Sequence, residues 1–99
     1  MVLAPVHGAA AFPHDDEPDM SKRVLTLNGQ QVSYFAPAGW AGLATGANLP
    51  ATAMPVGRTR AGLPYGLQVI GPYLEDRTTL GFAERAEQEF GGFQAPPGF

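Results

Sequence analysis

The stretch LPATAMPVGRTRAGLPYGLQVIGP, residues 49–72, constrains the fold most. Gly57, Gly62, Gly66 and Gly71 fall between Pro50, Pro55, Pro64 and Pro72. Such a pattern suits either a ligand loop, like a phosphate cradle, or strands folded under tight steric limits. Neither G-x-G-x-x-G nor G-x-x-x-x-G-K-[ST] is present, and residues 57–62 lack the lysine and the following helix. The strand reading is therefore favoured. Residues 51–56 and 65–70 read as two strands. Pro55 and Gly57 end the first, and Gly57 and Gly62 bracket the connection. Tyr65, Leu67 and Val69 share one face of the second strand; Gly66, Gln68 and Ile70 share the other. Gly66 lets a neighbouring backbone approach closely.

The same punctuation runs through the whole chain. Of 99 residues, 13 are glycine and 10 proline, which implies many turns and short elements. The hydrophobic share of 44% is enough to fold. The length allows one domain at most. A compact chain of this size buries roughly 60–70% of its unfolded surface.

Residues 2–6, VLAPV, read as a buried strand stopped at His7-Gly8. A buried strand that close to a terminus is unusual, which suggests a missing upstream segment. Residues 11–20 are acidic and proline-broken, a solvated loop. Residues 23–35 read as a β-hairpin about Asn28-Gly29, both of which tolerate the positive φ of a type I′ turn. Leu25 and Leu27 make one face the greasier. A short helix around residues 40–45 is expected to end at a left-handed Gly46. Residues 75–92 hold the long helix, with Asp76 as N-cap and Gly91 as stop. Phe82, Ala83, Ala86 and Phe90 form its apolar stripe. The proline-rich tail is expected to lie against a surface through Phe93 or Phe99.

Charge narrows the function. The formal net charge is −3 and Lys22 is the only lysine. Arg58 and Arg60 are no patch, so no nucleic-acid partner is expected. There is no cysteine, which excludes disulfides and thiolate metal sites. No apolar run approaches a membrane span. Residues 1–12 lack a basic n-region, so no signal peptide is read and a cytoplasmic location follows by default.

His7, His14, Asp15, Asp16, Glu17 and Asp19 include metal-ligand types. No two histidines share helical i, i+4 spacing, and Pro13 and Pro18 interrupt the run. The expectation is a solvated loop with no metal and no cofactor. Ser21-Lys22 has the residue types of a serine–lysine pair. Adjacent at a hairpin entrance, the two should point different ways and serve as surface residues. Gln68 inside an apolar strand needs hydrogen-bond partners, so it holds an adjacent loop or faces a cleft. The first role is favoured. Trp40, a large aromatic among alanines and glycines, suits core or cleft wall. No complete catalytic set is present.

Residues 49–99 closely resemble the C-terminal end of amidase-signature hydrolases. The carriers are Leu-Pro-Ala-Thr at 49–52, Pro-Val-Gly at 55–57, Gly-Leu-Pro-x-Gly-x-Gln at 62–68 and Ile-Gly-Pro at 70–72. Glu75-Asp76, Gly-Gly-Phe at 91–93 and Pro96-Pro97 follow in order. VLAPV, the hairpin and GWAGLATGANLP extend the likeness over nearly the whole chain.

The resemblance implies hydrolysis of a carboxamide C–N bond of a small-molecule amide. A serine nucleophile, a bridging second serine and a lysine base would do the chemistry. No position here matches that trio, so catalytic residues are none, and Ser21 and Lys22 do not stand in for it. The implied fold is α/β, the C-terminal part of an α/β/α sandwich with a mixed sheet. Residues 1–99 would be one fragment, inactive alone, with Trp40 at the substrate cleft. The alternative is a stand-alone structural or interaction module, self-associating through exposed sheet edges.

Overall fold

The structure, a computed structural model, describes residues 1–98. Its centre is a three-stranded antiparallel sheet. The strands are β1 (Val2–Pro5), β4 (Ala51–Arg58) and β5 (Pro64–Ile70), in the order β1-β5-β4. A separate hairpin is formed by β2 (Val24–Leu27) and β3 (Gln30–Ser33). A 3-10 helix, Ala36–Ala41, runs into the short α1 (Gly42–Ala47), and α2 (Asp76–Phe90) closes the described fold.

Proline placement explains the strand order. Proline cannot donate to a ladder, so it belongs on an edge, at a strand's first residue or at a bulge. Pro5 lies in edge strand β1, and Pro64 is the first residue of β5. Pro55 lies in edge strand β4, where the register shifts between Pro55 and Gly57. The rest of β5, among the described residues the only strand paired on both sides, is free of proline. Gly66 does as expected: a Cβ there would sit 2.7 Å from the Met54 carbonyl oxygen.

The α/β class is as expected, while several local details differ. β4 continues past Pro55 and Gly57 to Arg58, because the bulge absorbs the irregularity instead of stopping the strand. β1 is a strand but is not buried: only Ala4 is enclosed, while Val2 and Leu3 lie open. It pairs along one edge, and no layer covers those two side chains.

The left-handed cap of α1 is Asn48 (φ 53°, ψ 44°), and Gly46 lies inside the helix. Asparagine tolerates this region, and its N–H reaches the Ala44 and Thr45 carbonyls. The N-cap of α2 is Glu75, which accepts from the Thr78 hydroxyl at 3.0 Å; Asp76 is one residue inside. There its charge still favours the helix N-terminus. Gly91 (φ 84°) ends the helix as expected.

Helix α2 packs mainly on β4. Thr79, fully buried, donates to the Asp76 carbonyl at 2.8 Å. Its one proton is thus used, so the Thr52 hydroxyl donates to Thr79 across 2.8 Å. Gly71 makes the close fit possible: a Cβ there would lie 2.5 Å from Thr79 Cγ2. Phe82, Ala83 and Ala86 are half-buried, but Phe90 is 86% exposed and does not complete the stripe. Phe93 is also exposed, so it does not pin the tail; Phe99 lies outside the described residues.

Candidate functional site

Trp40 sits in the 3-10 helix that links the hairpin to α1. Pro37 starts that helix favourably, since a proline at its first turn forfeits no bond. Gly8 N–H donates to the Pro37 carbonyl at 2.9 Å. A Cβ on Gly8 would lie 3.1 Å from Pro37 Cα, so the loop leaving β1 lies close against the 3-10 helix.

Gln68 completes this junction. Its Nε2 donates to the Pro5 carbonyl at 2.8 Å and to the Trp40 carbonyl at 2.9 Å. Both amide hydrogens are used and the residue is buried, so Gln68 has a holding role, but its partners are the end of β1 and the 3-10 helix and not the adjacent loop expected. No buried side-chain polar atom among the described residues lacks a partner. Trp40 itself is 43% exposed and lines none of the three open clefts described on this chain. Its backbone is fixed while much of its side chain meets solvent.

Ser21 and Lys22 both turn to Asp19 instead of pointing different ways. The Ser21 hydroxyl donates to Asp19 Oδ1 at 2.6 Å and its N–H to the same oxygen at 3.0 Å. Lys22 Nζ lies 3.4 Å from Oδ2. These bonds, the serine hydroxyl's first, hold the Asp19 carboxyl below the usual carboxylate range. A serine whose proton is given to a carboxylate is not poised on a lysine base. The trio is a cap for the turn at Met20–Lys22.

The acidic loop is a run of local turns. Glu17 N–H donates to Asp15 Oδ1, and Asp19 N–H to Glu17 Oε1. Ala9 N–H donates to His7 Nδ1 at 3.2 Å. The His7 ring stacks on Phe12, which meets Tyr34 edge-on. Among the described residues no three His, Asp or Glu side chains are placed to hold a metal. An open cleft of about 780 Å³ separates residues 9–16 from β2.

Residues 57–62 carry no phosphate cradle. Thr59 N–H donates to the Leu63 carbonyl and Gly62 N–H to the Thr59 carbonyl, both at 2.8 Å. Leu63 N–H donates to Thr59 Oγ1, and Arg58 binds the Gly62 carbonyl at 3.0 Å. These amides are spent inside the turn, where Gly62 takes φ 82°. The sequence reading missed the Thr52–Thr79 bond. Two threonines 27 positions apart carry no local signal; their apposition exists only after α2 folds back.

The Amidase family model matches residues 1–80. Among curated relatives, a glutamyl-tRNA(Gln) amidotransferase subunit of Wolbachia pipientis (strain wPip) is 36% identical over 90 residues. That alignment covers 91% of this chain and 16% of the relative. Human fatty-acid amide hydrolase 2 is 37% identical over 60 residues, covering 61% of this chain and 11% of that protein. The corresponding amidotransferase subunit of Archaeoglobus fulgidus is 49% identical over 45 residues, 46% of this chain and 10% of its own. The chain thus spans about a sixth of the length of the first of these relatives. It belongs to the amidase family.

Proposed function

From that membership we propose that the chain is the C-terminal segment of an amidase-signature hydrolase that cleaves carboxamide C–N bonds. The family match over residues 1–80 carries the reading. In the complete enzyme a serine attacks the amide carbonyl, a lysine takes its proton, and backbone N–H groups hold the oxyanion. The C–N bond then breaks, the amine leaves carrying the proton that the lysine returns, and water hydrolyses the acyl-serine ester to release the acid. None of those reacting groups is assigned to a residue of this chain, so the isolated chain is inactive.

The segment's role is to complete the sheet and to border the substrate cleft with Trp40. Its partial exposure and fixed backbone support that placement. The names of the relatives refer to amide-group transfer and to fatty-acid amide hydrolysis. A small-molecule amide substrate is in keeping with both. No helix among the described residues is long and apolar enough to cross a membrane. A cytoplasmic location is proposed with the rest.

The test is amide hydrolysis by the pure 99-residue chain and by an amidase containing it. Activity is expected only in the latter. Hydrolysis by the short chain, lost on Lys22→Ala, would overturn the reading. An interaction module would instead leave both preparations inactive.

A further inference from the structure

We propose that Gln68 is a positioning residue that sets substrate preference through Trp40. The inference rests on the reading that Trp40 borders the substrate cleft. The substrate feature it would read is an apolar or aromatic group flanking the scissile amide.

Three strands of geometry meet at this amide. Gln68 lies in β5, the central strand, which gives its side chain a rigid origin. One hydrogen bond goes 63 positions back to the end of β1, the other 28 positions back to the Trp40 carbonyl. Gly8 joins the same two distant segments through Pro37. The 3-10 helix is therefore held near its start by Gly8 and near its end by Gln68. Among the described hydrogen bonds, the one from Gln68 is the only side-chain bond to the Trp40 residue. It fixes the root of a side chain whose ring has only two torsions to set. A ring so restrained offers contact area at low entropic cost.

The bond is also hard to replace. Gln68 is only 6% exposed, so removing the amide takes one donor from the Pro5 carbonyl and one from the Trp40 carbonyl, which keeps only the Gly42 N–H. The C-terminal end of the 3-10 helix keeps its backbone cap, the Gly42 N–H on the Gly39 and Trp40 carbonyls, but that bond lies within the helical segment and does not tie it to β5. Loss of Gln68 should therefore displace Trp40 without touching a reacting group.

The experiment uses an amidase containing this segment, with Trp40→Ala, Gln68→Met and the double variant. Gln68→Met keeps the length of the side chain and removes both donors. Specificity is read as the ratio of kcat/KM for an aryl amide to that for an aliphatic amide. Each single variant is expected to lower the ratio, by about tenfold for Gln68→Met, with the change mainly in KM. In the Trp40→Ala background, Gln68→Met is expected to leave the ratio unchanged, since coupled residues are non-additive.

A merely structural glutamine would change both substrates alike. A shift that persists without Trp40, or no shift for Gln68→Met while Trp40→Ala shifts the ratio, would overturn the inference. An unchanged ratio for Trp40→Ala would remove the underlying reading of the cleft itself. Gln68→Leu provides a second variant: it removes both donors without introducing a charge beside the two carbonyls, and is expected to lower the ratio in the same way.

Discussion

Gly66 shows how tightly one residue can be specified. A methyl group there would meet the Met54 carbonyl at 2.7 Å, and a backbone oxygen in a paired strand cannot swing away. Gly66→Ala is expected to cost about 1–3 kcal/mol, read from the unfolding midpoint of an amidase containing the segment. Gly62→Ala removes glycine from φ 82° in open space and should cost less, about 1 kcal/mol. Equal effects would contradict the steric account. Gly66 and Gln68 were legible in sequence because each departs from its strand's apolar pattern. The identity of Gln68's partners was not, because the Trp40 carbonyl reaches it only through tertiary folding.

Asp19 makes a prediction in pH at the same scale. Ser21 donates to its carboxylate in the folded turn, which lowers the pKa below the unfolded value. The turn's gain from this carboxylate is therefore present above the ordinary carboxylate range. It is lost as pH falls through the lowered folded value. In a carbonyl-carbon NMR titration, Ser21→Ala should move the Asp19 midpoint upward. An unmoved midpoint would show that the serine bonds do not set it.

Among the elements, local chemistry predicted turns better than it predicted ends. Asn28 (φ 51°) and Gly29 (φ 78°) form the hairpin turn as read, because that requirement is met by two adjacent residues. The cap of α1 shifted from Gly46 to Asn48 because helix ends depend on which carbonyls need a donor, not on glycine alone. Asn48→Gly should be neutral or mildly stabilising, while Asn48→Val should cost about 1 kcal/mol or more by thermal unfolding. The α2–β4 packing depends on the buried threonine pair. Thr52→Val removes the proton given to Thr79 and should cost about 1 kcal/mol, with faster amide exchange in the first turn of α2. Unchanged exchange there would count against the clamp.

At the scale of the molecule, the decisive property is surface. The chain exposes 7452 Å². A compact protein of its 10.4 kDa mass would expose about 5,400 Å². The radius of gyration is 15.4 Å, against about 13 Å for a compact chain of this length. Val2 and Leu3 on β1, Tyr73 and Leu74 before α2, and Phe90 and Phe93 after it are all open. Among the described residues the buried apolar core is small: Ala4, Leu25, Ala44, Val69 and Ile70, of which only Val69 is fully enclosed.

The sequence carried the motifs of the amidase family but not this imbalance, because hydrophobic content does not say how much of it finds a partner. Under the proposed function, these faces belong against the rest of an amidase domain. The most direct test is calorimetry with sedimentation on the pure 99-residue chain. Self-association, or a melt without a single cooperative transition, is the expected result. A monodisperse monomer with one sharp, two-state transition would contradict it.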